Sequence, residues 1–178
     1  SVIRASEDDP RLFGIVFERY YAAVDAYLQR RVGAGEAEEL ASEVFLEALR
    51  SRRRYDHRYE SAKGWLFGIA TNLLLRSWRR ERRQLRAYAR TAIDPLGGEI
   101  DGAESRVDAQ RSRLVLARAL ASLSRDQRDV LLLHAWADLS DAEIAAALNL
   151  PIGTVQSRLS RARSRMREAI GPDRERNE

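Results

Sequence analysis

The chain has 178 residues, 44% of them hydrophobic and 33% charged, enough to bury one moderate core or two small ones and too apolar for a structureless polymer. It contains no Cys, which excludes disulfides, thiolate metal sites and a cysteine nucleophile, and its two His, His57 and His134, stand too far apart to suggest zinc. The net charge is +4 and no apolar run approaches the roughly 20 residues of a membrane helix, so the expectation is a cytoplasmic protein with no membrane insertion.

From the N-terminus, Leu12, Phe13, Val16, Phe17, Tyr20, Tyr21, Val24, Tyr27 and Leu28 recur at three and four, which predicts an amphipathic helix. Gly33-Ala34-Gly35 stops it, because glycine takes the left-handed cap conformation. A second helix is expected from about Glu36 to Ser51. On it Glu36, Glu39, Glu43 and Glu47 fall within an arc of about 80°, opposite Ala37, Ala41, Phe45 and Ala48, with Leu40 and Val44 between. Leu46 lies beside this acidic ridge, an exposed leucine suited to a partner.

Residues Arg53 to Ser61 lack a period and read as a loop; a third helix follows from Ala62 to near Arg83. Its buried stripe is Leu66, Ile69, Ala70 and Leu73, while Trp65, Asn72, Arg76, Arg79 and Arg83 form a column about 60° wide. An amide for base edges and Arg for the backbone suit single-stranded nucleic acid, with Trp65 serving the packing rather than stacking on bases. Arg80 extends the same basic block. Asp94-Pro95-Leu96-Gly97-Gly98 then breaks any helix in an acidic stretch, the best linker candidate.

Helices resume near Asp108. Ser124-Arg125-Asp126-Gln127 and Ser140-Asp141-Ala142-Glu143 both fit the capping box, in which the Ser oxygen and the fourth side chain each satisfy an amide at a helix start. Asn149-Leu150-Pro151 separates a short helix, Ala142 to Leu148, from a last one, Gly153 to Ile170. A short helix, a tight turn and a helix with a basic outer face make a helix-turn-helix, whose second helix enters the DNA major groove. That last helix buries Val155, Leu159, Ala162 and Met166 and turns Ser157, Ser160, Ser164 and Arg161 outward, with no acid from Pro151 to Arg167. Arg can read guanine and Ser several acceptors, while Arg158, Arg163 and Arg165 on the flanks reach phosphates.

These residues resemble the extracytoplasmic-function (group IV) class of bacterial RNA polymerase sigma factors. The run from Leu123 to Met166, with GTVQSRLSRAR at its end, is similar to the family's promoter-binding region. Glu36 to Leu49 resembles its helix for the polymerase clamp, and Lys63 to Arg83 its helix for opening and reading the minus-10 element. The resemblance implies an all-α chain of two small helical domains joined by a flexible linker: residues 1–88, a linker over 89–110, a helix-turn-helix domain over 111–172 and a tail over 173–178.

It further implies a non-enzymatic sigma factor without cofactors, whose partners are core RNA polymerase, promoter DNA as duplex and melted non-template strand, and an anti-sigma factor where one exists. Core binding falls to Glu39, Leu40, Ser42, Glu43, Phe45 and Leu46. The family's usual Asp is Glu39 here and its usual Gln is Ser42. Minus-10 recognition falls to Asn72, to the loop Tyr59, Glu60, Ser61 and Ala62, and to Arg76, Arg79, Arg80 and Arg83. Minus-35 recognition falls to Gln156, Ser157, Ser160 and Arg161 with Arg158, Arg163 and Arg165; Gln156 stands where the family more often has Lys or Arg. The alternative is a helix-turn-helix regulator of the response-regulator output type, which requires a receiver or ligand domain ahead of Ser140. An enzyme fits worst: the Glu ridge lacks the Glu-x-x-His partners of a bundle metal site, and no phosphate-cradling loop is present.

Overall fold

The computed structural model describes residues 2–59, 61–75 and 103–174. Among these, the regular elements are helical. They are α1 (Val2–Asp8), α2 (Phe13–Val32), α3 (Ala34–Ser51), α4 (63–75), α5 (Ala103–Ser122), α6 (Arg125–Trp136), α7 (Asp141–Leu148) and α8 (Ile152–Arg174). None of these helices is long and apolar enough to cross a membrane.

α2 and α3 form an antiparallel hairpin whose turn is a single residue. Gly33 has φ 88°, a conformation that a side chain would strain, and its N–H closes α2 by donating to the Gln29 carbonyl. Helix α3 therefore starts at Ala34, before the expected Glu36, and takes Gly35 into its first turn. Its Ala37, Ala41 and Ala48 are sealed from solvent and let α2 approach closely, while Val24, Tyr27 and Leu28 supply the bulk from the other side.

Helix α4 completes this unit, in a different rotation from the expected one. The buried residues are Leu66, Phe67, Ala70 and Leu74, and Ile69 and Leu73 are only partly buried. The stripe shifts by one to bury Phe67, which meets Tyr27 edge-on, ring centres 5.2 Å apart. Helix α1 has too short a pattern to be legible in sequence. It is tied down by Arg52, whose guanidinium donates to the carbonyls of Ser6 and Leu49.

In the C-terminal unit both capping boxes form as expected, at Ser124 with Gln127 and at Ser140 with Glu143. Asn149 adopts the left-handed conformation that ends α7, φ 52°, and Pro151 follows. Helix α5 begins at Ala103, inside the stretch read as linker, and α8 runs past Ile170 to Arg174. Arg128 lies at the centre, wholly buried. Its guanidinium donates to the Leu120 carbonyl, which also accepts from the Leu123 N–H, and to the Leu123 carbonyl just past the end of α5.

Candidate nucleic-acid interface

Helix α8 divides as its sequence dictates. Val155, Leu159 and Ala162 are buried against α6 and α7, and Met166 is half-buried. Gln156, Ser160 and Arg161 are exposed on the opposite side, and Ser157 is partly so. The flanking arginines are differently disposed from the expectation, being already engaged within the domain. Arg158 pairs with Asp126 at 2.8 Å, Arg163 donates to His134 Nε2 at 2.8 Å and Arg165 approaches Gln127 Oε1 at 3.4 Å. Such exposed bonds are weak and exchangeable. They hold long side chains beside the outer face without closing it.

The second site gathers around α4. Asn72 is exposed, and with Tyr59, Ser61 and Trp65 it lines a cavity of about 600 Å³. The floor is held by the preceding loop. Tyr55 Oη donates to the Tyr59 carbonyl at 2.8 Å, and Ser61 shares a hydrogen bond with Tyr20 at 3.3 Å. The Asp56 carboxylate accepts from the Arg58 backbone and guanidinium, the shortest bond 2.7 Å, and Arg58 thereby lowers its pKa to about 2. Burial, then Tyr20 and Asp56, raise that of Tyr55. Trp65 packs 5.0 Å from Tyr55, so it braces the loop, as its sequence position suggested. Ala62 is buried beneath. Glu60, Arg76, Arg79, Arg80 and Arg83, with the linker around Pro95, lie outside the described residues.

The ridge on α3 presents Glu39, Ser42 and Leu46 to solvent, with Glu43 partly exposed. Leu40 and Phe45 are buried beside it. Phe45 backs a surface cluster with Phe17 and Tyr21, ring centres 4.7 to 5.9 Å apart, in which Phe17 is the exposed member. Phe17 faces outward because α2 has more apolar residues than one stripe can bury.

Sequence reasoning missed how the two units meet. Arg31 of α2 and Asp129 of α6 form a buried ion pair at 2.7 Å, and Tyr27 accepts a second bond from Arg31. Arg30 lies over the Trp136 ring, and Lys63 donates to the Asp138 carbonyl. Gly68 of α4 sits so close to α7 that an added Cβ would come within 2.6 Å of the Ala147 carbonyl oxygen. Glu143, Ala146 and Ala147 of α7 consequently form one wall of the Asn72 cavity. Only Gly68, a glycine in the interior of α4, hinted at such an approach.

Residues 16–84 match the family model described as Sigma-70 region 2, and residues 113–166 that described as Sigma-70, region 4. The chain is 33% identical over 151 residues to the RNA polymerase sigma factor HrpL of Pseudomonas syringae pv. syringae, covering 83% of this chain and 80% of that protein. It is 29% identical to the ECF RNA polymerase sigma-E factor of Escherichia coli (strain K12), covering 96% and 93%. The sigma factor RpoE of Bartonella quintana, solved in complex with the anti-sigma factor NepR, superposes with a TM-score of 0.61 at 25% identity, covering 89% of this chain and 96% of that one. The region 2 match occupies the half of the chain where a response regulator would need its receiver, and the described residues there form helices and turns, which removes that alternative.

Proposed function

The chain belongs to the extracytoplasmic-function (group IV) sigma factors of bacterial RNA polymerase, and on that premise we propose which residues bind core polymerase and which recognise the promoter. Sigma factors are not enzymes; their work is done by surfaces. In this reading Gln156, Ser157, Ser160 and Arg161 read base edges of the minus-35 duplex in the major groove. Arg158, Arg163 and Arg165 exchange their internal partners for phosphates.

The melted non-template strand falls to α4 and its loop. Asn72 hydrogen-bonds an unstacked base, Tyr59 and Ser61 border it, and Ala62 packs below. Glu60 is assigned to the same strand site, and Arg76, Arg79, Arg80 and Arg83 to the strand's phosphates. Glu39, Ser42, Glu43 and Leu46 contact the core enzyme, backed by Leu40 and Phe45. The carrying observation is Asn72, an exposed amide in an otherwise apolar stretch of helix, opening into a cavity large enough for a base.

A protein inhibitor is a further partner in this reading, since the Bartonella quintana relative is solved with an anti-sigma factor. An apolar groove of about 690 Å³ on the C-terminal unit supports it. Leu116, Leu131, Trp136, Met166 and Ile170 line this groove and Arg163 and Arg167 flank it, which suits an amphipathic helix with acidic edges.

Core enzyme carrying this chain, titrated with single-stranded oligonucleotides that vary one base at a time, tests the assignment of Asn72. Asn72→Ala should flatten the preference at one position and leave the melting temperature unchanged. Unchanged base preference, or lost stability in its place, would remove Asn72 from the site.

A further inference from the structure

We propose that Arg54 and Arg58 grip the phosphate beside the base that Asn72 reads, so that the cavity holds a whole nucleotide and not a base alone. The inference rests on the assignment of Asn72 to the melted strand.

The observation that opens it is the rim of the cavity. Beside Tyr59, Ser61, Trp65 and Asn72, the lining includes Arg54 and Arg58, both exposed. Neither lies on α4. Arg54 ends a short 3-10 turn over Arg52–Arg54 and Arg58 stands in the loop after it, so both precede Asn72 in the chain, whereas Arg76, Arg79, Arg80 and Arg83 follow it.

The loop is braced where these side chains leave it. Arg52 is turned to the carbonyls of Ser6 and Leu49, and its own carbonyl accepts from the Tyr55 N–H at 3.1 Å, which anchors the turn under Arg54. Tyr55 is buried; its hydroxyl donates to the Tyr59 carbonyl, and the Tyr59 N–H donates to the Asp56 carbonyl at 3.1 Å. The backbone on both sides of Arg58 is thereby fixed. Its Nε donates to the Asp56 carboxylate at 3.0 Å and its Nη2 at 2.7 Å, which occupies one edge of the planar guanidinium. Nη1 is left for a ligand, on a side chain that is 87% exposed. A guanidinium already held by one edge has little rotamer freedom left to lose when the other binds.

The charge balance at the rim favours an anion. Its two carboxylates are both engaged, Asp56 with Arg58 and Glu143 with the Ser140 N–H and hydroxyl at 2.8 Å, and among the described residues Arg54 has no carboxylate partner. A base can enter a cavity walled by Tyr55, Trp65 and Ile69, but its phosphate cannot follow without losing its water. The phosphate therefore stays at the mouth, where a forked donor and a second cation match its two free oxygens.

Core enzyme carrying this chain is titrated with a single-stranded oligonucleotide in which one phosphate at a time is replaced by a neutral methylphosphonate. With the original chain, neutralising the linkage beside the read base should weaken binding about fivefold, the upper end for an exposed ion pair. Arg54→Ala combined with Arg58→Ala should cost about the same on the unmodified strand and lower the salt slope by about 0.7, the value for one phosphate on a single strand. On the strand already neutral at that linkage the double variant should cost nothing further, because one contact cannot be lost twice.

The grip is overturned if the double variant binds the unmodified strand as the original chain does. It is equally overturned if its loss is the same on charged and neutralised strands, the mark of diffuse attraction. The walk of neutral linkages on the original chain needs no variant, and overturns the grip by itself if no linkage beside the read base stands out. Asn72→Ala separates the two readings. Altered base preference with no coupling between the arginines and that linkage keeps Asn72 and removes the grip. Coupling to one linkage with base preference indifferent to Asn72→Ala keeps the grip and removes the base assignment.

Discussion

The Arg31 guanidinium and the Asp129 carboxylate, 98 residues apart in the chain, meet at 2.7 Å with side chains only 1% and 5% exposed. Neither charge could be buried there alone. Asp129 takes a second cation from Arg125 at 3.3 Å, and Arg31 a second acceptor in Tyr27, so the pair is satisfied by groups that each domain brings with it. A helix of each unit contributes one charge, and the relationship fixes how α2 sits against α6.

The same closure makes Gly68 indispensable for a reason its own domain does not supply. Gly68→Ala should favour the helix intrinsically by about 1 kcal/mol, yet its methyl would collide with the Ala147 carbonyl. The variant should keep its helicity and open, with a larger radius of gyration in small-angle scattering. An unchanged radius would mean that α7 adjusts at no cost.

Arg128 is the stability counterpart. Arg128→Met keeps much of the volume but removes the guanidinium from both carbonyls, leaving Leu120 only its bond from the Leu123 N–H. The expected loss is about 2 to 4 kcal/mol of C-terminal domain stability, read by denaturant unfolding. A loss below about 0.5 kcal/mol, the scale of an ordinary surface substitution, would show that water takes over both carbonyls.

Asp56 makes a pH prediction of definite sign. Its carboxyl is held at about 2 against an ordinary 3.8, chiefly by the Arg58 hydrogen bonds, so the bonded form is favoured above the ordinary value and lost as pH falls through the lower one. The loop should therefore remain clamped at pH 3. A carboxyl carbon titration by NMR with a midpoint near 2 bears this out. A midpoint near 3.8 would contradict it.

Core binding should depend on the exposed members of the α3 ridge. Glu43→Arg together with Leu46→Ala should weaken capture by core polymerase in a pull-down and leave the fold intact, since Leu46 is 46% exposed and contributes little packing. Retained capture would remove the ridge from the interface.

Much of this molecule was legible wherever the cause is local. Ser124 and Ser140 each mark a helix start through a residue three positions on, Gly33 ends a helix by its own backbone freedom, and Val155, Leu159 and Ala162 share a face by period. Asn72 stood out for the same reason, an amide where the pattern called for apolar side chains. Periodicity could not choose between Ile69 and Phe67 for the buried side of α4, because both rotations bury leucines and only the Tyr27 ring across the interface decides. Still less could it pair Arg31 with Asp129, or give Arg158, Arg163 and Arg165 their internal acceptors, since charge carries no period and its partners are set by the fold.

Two separate reading surfaces serving one promoter are tested most directly by a single selection. Core polymerase loaded with this chain, then with Arg161→Ala and then with Asn72→Ala, is used to enrich binding sites from a randomised duplex library. The original chain should enrich two separated blocks, and only in the presence of core enzyme. Arg161→Ala should blur one position of the upstream block at a cost of about 1 to 3 kcal/mol and leave the downstream block intact, whereas Asn72→Ala should do the reverse. Loss of the same positions in both variants, or one block where two are expected, would contradict the division of labour between α8 and α4.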